Sequence, residues 1–187
     1  VCKDEKDMLE KFQLSVIEND PDVITGWNLI DFDLKVLKER FQFYKLKFDL
    51  GREEGESEIR IQASYFQSSK ARIIGRVALD GLHLLRVSFI NLPNYKLDTA
   101  ARVILGEKKL IDFDDSPKDK VQQIESMFAK GDKKLLEYNL LDAKLVLDIL
   151  DKSGALNLAI TRSLLAKIEV DQVDGSIASL DALYLRE

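Results

Sequence analysis

Little in this 187-residue sequence offers a soft metal ligand. It has one cysteine, Cys2, and one histidine, His83. A single cysteine excludes an internal disulfide framework. One Cys with one His cannot complete the usual zinc ligand set. Any metal here is therefore held by oxygen, which favours Mg²⁺ or Mn²⁺. No apolar run approaches the ~20 residues of a membrane helix, and no signal pattern precedes the first helix. No membrane partner is expected, and the expected location is the cytoplasm. Internal repeats and low-complexity tracts are absent from the sequence. The chain opens on Val1 rather than Met, which suggests truncation.

The composition is globular, with 45% hydrophobic and 33% charged residues. The length suits one domain, or one domain plus a connector. Net charge is −5, and the pI is about 5.1. Taken alone, that argues against a dedicated nucleic-acid module. A metal site can be built from carboxylates, however, and bound metal reverses the local field.

Apolar residues at helical spacing (Met8, Leu9, Phe12, Val16, Ile17) predict an amphipathic helix over Asp4–Asn19. Asp20-Pro21-Asp22 stops it. Val23–Trp27 is short, apolar and partly β-branched, and reads as a buried strand. Asp31 could cap the next helix, in which Leu34, Leu37, Phe41 and Tyr44 share a face. After a polar loop over 49–58, Ile59, Ile61, Ala63 and Tyr65 alternate with polar residues. Ala71–Leu79 returns as a second strand with a bulge at Gly75, giving a β-hairpin. Lys70, Arg72 and Arg76 on it could track a DNA backbone or form a solvated face. Asp80 closes the strand and could be a cap. Short helices follow at Leu82–Phe89 and Leu97–Leu105, the second ended by Gly106. Ser116-Pro117 starts another helix with a stripe of Val121, Ile124 and Phe128. A long helix covers Lys133–Lys152, then Ala155–Ala166. Ile168–Gly175 is extended or loop, and Ser176–Arg186 begins a last helix.

Two acidic segments stand out, about a hundred residues apart. In the first, Asn28 sits at the carboxyl end of a strand, where open α/β sheets bind ligands. Asp33 follows in the first helical turn, where the dipole favours an anion and should keep it ionised. Alternatively, Asp33 only complements the dipole and Asn28 only makes an Asx-turn. In the second, Tyr138 and Asp142 share one helix face with Leu135, Leu145 and Ile149. An acid in an apolar stripe is costly unless paired or metal-bound. The alternative is a core-edge tyrosine beside a solvated aspartate.

In order and separation these segments resemble the second and third metal-site blocks of the exonuclease domain of family B DNA polymerases. Those blocks have the forms Asn-x-x-x-Phe-Asp and Tyr-x-x-x-Asp. The resemblance runs through Asp20–Asn28, Gly75–Gly81 and Tyr138–Ala143, and Val173–Ala178 looks like the approach to a polymerase palm. It implies an α/β, ribonuclease H-like 3′–5′ exonuclease fold with its first strands absent, a β-hairpin and a mostly helical C-terminal half. Residues 1–154 would be the C-terminal part of that domain, and 155–187 a helical connector.

The resemblance further implies two divalent ions, ~4 Å apart, hydrolysing the terminal phosphodiester of a single-stranded DNA 3′ end. Asp142 would bind the ion that activates water, and Tyr138 would orient that water. Asp33 would support the second ion, and Asn28 would be a DNA-strand or supporting contact. Deoxynucleotides would be substrates of the parent enzyme. The family's first block, Asp-x-Glu on an early strand, has no counterpart in the sequence. It is expected upstream of Val1, so the isolated chain is expected to be inactive. The absent strands would flank Val23–Trp27, and an open edge seeks partners, so self-association or a rearranged sheet is expected. Two other readings stay open: a free-standing exonuclease, and a non-catalytic module of the same fold.

Overall fold

Two strands more than fifty residues apart in sequence lie side by side in parallel in the computed structural model of the chain. It describes residues 2–62, 69–106, 117–173 and 176–185, apart from the side chains of 117–121 and 176–179. The strands are β1 (Val23–Gly26) and β4 (Arg76–Asp80). Val23 stands opposite Val77 and Gly26 opposite Asp80, so both carboxyl ends reach one rim of the sheet. Thr25 Oγ1 donates to the Leu79 carbonyl at 2.7 Å and ties the pair together near that rim. Parallel pairing requires a crossover rather than a tight turn. Here the crossover contains α2 (Lys35–Phe43), β2 (Glu58–Arg60) and β3 (Lys70–Ile73). The sheet order is β1-β4-β3-β2, with β2·β3 and β3·β4 antiparallel. β1 thus forms one edge of the described sheet, and Val23 is exposed rather than buried.

Pairing of β2 with β3 bears out the hairpin, although Ala63 and Tyr65 of the expected alternation lie outside the described residues. The single strand expected over Ala71–Leu79 is two strands. Ile73 pairs with Arg76 across Ile74-Gly75, which reverses the chain. Gly75 has φ +76°, and a Cβ there would come within 2.9 Å of the Arg52 Cβ. A positive-φ glycine in a two-residue connection makes a hairpin turn, where a bulge would only bend the strand.

The chain divides into two compact units, 1–89 with 155–187, and 90–154. In the first, α1 (Glu5–Asn19) begins at Asp4, whose side chain accepts from the Asp7 N–H, and ends where Asp20 turns left-handed. Its apolar stripe is less buried than expected. Leu9 is 1% exposed, but Phe12, Ile17 and Met8 are exposed. The helix rests on a narrow line through Leu9 and Val16 and is pinned by Glu5, which accepts twice from Arg40 at 2.6 Å. The core beneath it joins Leu29, Ile30, Leu34, Phe41, Phe48 and Leu50 to Ala71, Ile73 and Ala78 of the sheet. Phe41 meets Phe48 edge to face, with centroids 5.2 Å apart. Burial of each large side chain contributes roughly 1.5–3 kcal/mol. Leu34 and Phe41 are buried and Leu37 and Tyr44 half-buried, as the periodicity of α2 predicts.

Arg76 corrects the basic-face reading of the hairpin. Its side chain is 1% exposed. It donates to the Leu50 carbonyl (2.9 Å), Asp20 Oδ1 (2.8 Å) and the Pro21 carbonyl (2.6 Å). Arg52 joins Asp20 and Asp22 at 2.7 Å and the Gly75 carbonyl at 2.9 Å. The network locks the amino end of the sheet, opposite the rim described below. Lys70 is also engaged, donating to the Asp171 carbonyl at 2.6 Å, while Arg72 is exposed. α3 (Gly81–Val87) follows β4, and α7 (Ala155–Ala166) packs on α3, on α8 (Ser176–Tyr184) and on a 3-10 turn at Val170–Gln172.

In the second unit, α4 (Leu97–Ala100) runs into a wide π-type turn (Ala101–Leu105) that stops at Gly106. α5 (Pro117–Ala129) and α6 (Lys133–Ser153) complete it, and α6 packs on the other three elements. Phe128 is 79% exposed, contrary to the stripe expected for α5. Ile124 and Met127 are its half-buried positions, and Phe128 points a further third of a turn round; the side chain of Val121 lies outside the description. Among the described residues, no helix is long and apolar enough to cross a membrane.

Candidate active site

The chain leaves β1 through Trp27 and turns at Asn28, which holds φ 60° and ψ 34°. Asparagine is among the few residues that tolerate this left-handed conformation. Its side chain makes no capping hydrogen bond, which removes the Asx-turn alternative. A π-type turn over Leu29–Leu34 follows and continues as α2. The helical path therefore begins three residues earlier than a cap at Asp31 requires. Asp31 lies inside the first turn and accepts a hydrogen bond from the Ser69 hydroxyl. Asp33 is the fifth helical residue, past the first turn, where the dipole's influence fades.

At that placement the shift runs opposite to the one the dipole predicts. Asp33 as a residue is exposed, yet its carboxyl sits in partly desolvated surroundings. Burial pushes it above the ordinary aspartate range, and the Asp80 carboxylate pushes the same way, against a hydrogen bond from its own N–H. Desolvation and a like charge both disfavour the ionised form, and a divalent cation would relieve both.

The sequence marks Asp80 only as a strand end and possible cap. It caps α3 through the His83 N–H at 3.1 Å. Its other oxygen accepts from the Ile30 N–H at 3.4 Å, within the turn that carries Asp33. The sequence signal is an aspartate directly after the apolar run Val77-Ala78-Leu79, with an amide three residues on to cap. Its second partner depends on the parallel β1–β4 pairing, which local patterning does not reveal.

In the second unit, Tyr138 and Asp142 lie one turn apart on α6. Tyr138, Leu145 and Ile149 are buried, as the stripe predicts, with Leu135 and Asp142 half-buried. Oδ1 of Asp142 is itself buried. That burial sets Asp142 apart from a fully solvated surface acid. Asn28 and Asp33 thus belong to one unit, Tyr138 and Asp142 to the other. Among the described residues, no group of three or more His, Cys, Asp or Glu is arranged to hold a metal ion. The candidate donors are all carboxylates, which suit Mg²⁺ or Mn²⁺.

The first unit is a mixed α/β structure with a small sheet and an acidic rim at the carboxyl ends of its parallel strands. Residues 1–100 match the family described as DNA polymerase family B, exonuclease domain, and the chain belongs to that family. The matched residues include Asn28, Asp33 and Asp80. The chain is 35% identical over 177 residues, 95% of its length, to DNA polymerase II of Escherichia coli (strain K12), covering 22% of that protein. It is 31% identical over 153 residues to the DNA polymerase of Thermococcus gorgonarius, and 30% over 153 residues to that of Thermococcus sp. (strain 9oN-7). Each of these covers 80% of this chain and 18% of the relative. The chain therefore spans about a fifth of the length of these relatives.

Proposed function

We propose that the chain is the exonuclease portion of a family B DNA polymerase and contributes to proofreading, the removal of nucleotides from a DNA 3′ end by phosphodiester hydrolysis. The observation that carries this is the family match over residues 1–100, within which Asp80 ends β4 at the sheet rim and Asp33 feels its charge. On this reading the fold is ribonuclease H-like. Residues 1–154 serve the exonuclease, and 155–187 lead toward the polymerase palm, where deoxynucleotides are used. The edge of β1 is where a further strand adds, from the rest of the protein or a second copy.

Asp142 and Asp33 would hold Mg²⁺ or Mn²⁺, two ions in the complete site. Bound there, the ions supply an activated water and neutralise charge on the leaving oxygen. The chain's own groups bind and orient. Asp142 has one carboxylate oxygen, Oδ1, shielded from solvent, and its carboxylate would serve as a metal ligand. Tyr138, one turn away, holds the attacking water by its hydroxyl. Asn28, set by its left-handed turn, meets the terminal DNA strand. Burial and the nearby Asp80 carboxylate both work against the charge on Asp33, and a bound cation would offset them.

The test is Asp142→Ala in the full-length protein that carries this chain. Mg²⁺-dependent 3′-end trimming should fall by 10²-fold or more while nucleotide addition is spared. Trimming at the wild-type rate would remove Asp142 from the site.

A further inference from the structure

The sheet rim contains a carboxylate that the proposed chemistry does not use. Asp80 ends β4 directly opposite Gly26, the last residue of β1. Its two oxygens go to two different helix starts. Oδ1 accepts from the His83 N–H at 3.1 Å and begins α3. Oδ2 accepts from the Ile30 N–H at 3.4 Å, in the second residue of the π-type turn. The second contact is long for a hydrogen bond, but the acceptor is a carboxylate at the amino-terminal end of a helical path, where such contacts count most. Ile30 and Leu29 are buried on one side of this bridge, Leu84 and Leu85 on the other. Asp33 follows Ile30 by three residues.

We infer that Asp80 is a positioning residue for the exonuclease site: it bridges β4, α3 and the Leu29–Leu34 turn, and so fixes where Asp33 stands on the rim. This rests on the function proposed above. The geometry separates two roles within one side chain. Capping α3 needs one acceptor oxygen, which serine supplies well. Bridging to Ile30 needs a second oxygen farther out, which only the carboxylate reaches. Loss of the bridge leaves the strand pairing and the α3 cap in place but frees the turn to shift. Small misplacements of catalytic groups are costly in rate.

The experiment uses Asp80→Ser, with Asp80→Ala as the variant that loses both contacts, in the full-length protein carrying this chain. Amide hydrogen exchange is followed over residues 29–34 and 81–87, alongside 3′-end trimming of single-stranded DNA in Mg²⁺. For Asp80→Ser, exchange should rise at least fivefold over 29–34 and stay within twofold over 81–87. The kcat for trimming should fall about tenfold, with KM for DNA within twofold. Asp80→Ala should accelerate exchange in both segments. Unchanged exchange over 29–34 in both variants overturns the bridge. Faster exchange with trimming kcat within twofold of wild type overturns the positioning role. If the wild-type protein trims no DNA ends, the proposed function fails, and the exchange measurement still decides whether Asp80 holds the turn.

Discussion

Arg76→Met is the sharpest test of the division between structural and functional charge in this chain. The substitution keeps the aliphatic stem and removes the guanidinium, whose side chain is 1% exposed. The Leu50 carbonyl, on a fully buried residue, loses its 2.9 Å donor. The Pro21 carbonyl, half-buried, loses a 2.6 Å donor. A buried acceptor left without its charged donor costs about 1–3 kcal/mol. Asp20 is mostly exposed and keeps Arg52, so its loss of Arg76 adds little. The total, about 3 kcal/mol, agrees with the lower end for breaking a buried charged contact. Against a typical total of about 5–15 kcal/mol, that is a large fraction. It corresponds to a fall in melting temperature of roughly 6–12 °C for a chain of this size. The assay is urea unfolding followed by circular dichroism, with exposed Arg72→Met as control, expected within about 0.5 kcal/mol of wild type. A loss below about 1 kcal/mol for Arg76→Met, or weaker DNA binding with an unchanged unfolding midpoint, would refute this account.

Two more perturbations follow from the same network and turn. Asp20 is held below the ordinary aspartate range by hydrogen bonds from Arg52 and then Arg76. A depressed carboxyl contributes stability above its unfolded pKa, about 3.9, and loses it as pH falls through the folded value. Asp20→Asn should therefore destabilise at pH 7, with the gap to wild type closing toward pH 2; an equal gap at both pH values would count against the ion pairs. Gly75→Ala and Gly106→Ala both place a Cβ at positive φ, +76° and +77°, costing roughly 1–2 kcal/mol each. Only position 75 adds a 2.9 Å approach to the Arg52 Cβ, whereas nothing lies within 4 Å at 106. Thermal melts should show the larger loss at 75, and equal losses would mean that the contact relaxes freely.

Local chemistry made much of the fold legible. The limits of α1, β1 and α6 followed from the Asp20-Pro21-Asp22 stop, a β-branched run and a closing glycine, each a signal within a few residues of the boundary. The stripe of Tyr138, Leu145 and Ile149 followed from helical periodicity. What failed needed information from far along the chain. The β1–β4 pairing joins Val23 to Val77, and no local pattern announces a parallel partner across a long crossover. The buried role of Arg76 depends on Asp20, Pro21 and Leu50 arriving from elsewhere. Asp80 was half legible, since its cap on α3 is local and its hold on Ile30 is not. At Asp33, the dipole argument gave the wrong direction because the helical path starts at Leu29, leaving the carboxylate beyond the first turn and beside a like charge.

The proposal on which the rest stands is that Asp33 and Asp142 are both metal ligands. Anomalous scattering from crystals of the full-length protein soaked in Mn²⁺ tests it most directly. The account predicts manganese at both carboxylates, beside the Tyr138 hydroxyl, and its loss in Asp142→Ala. Manganese bound at neither aspartate, or the two carboxylates facing separate surfaces of the protein, would contradict it.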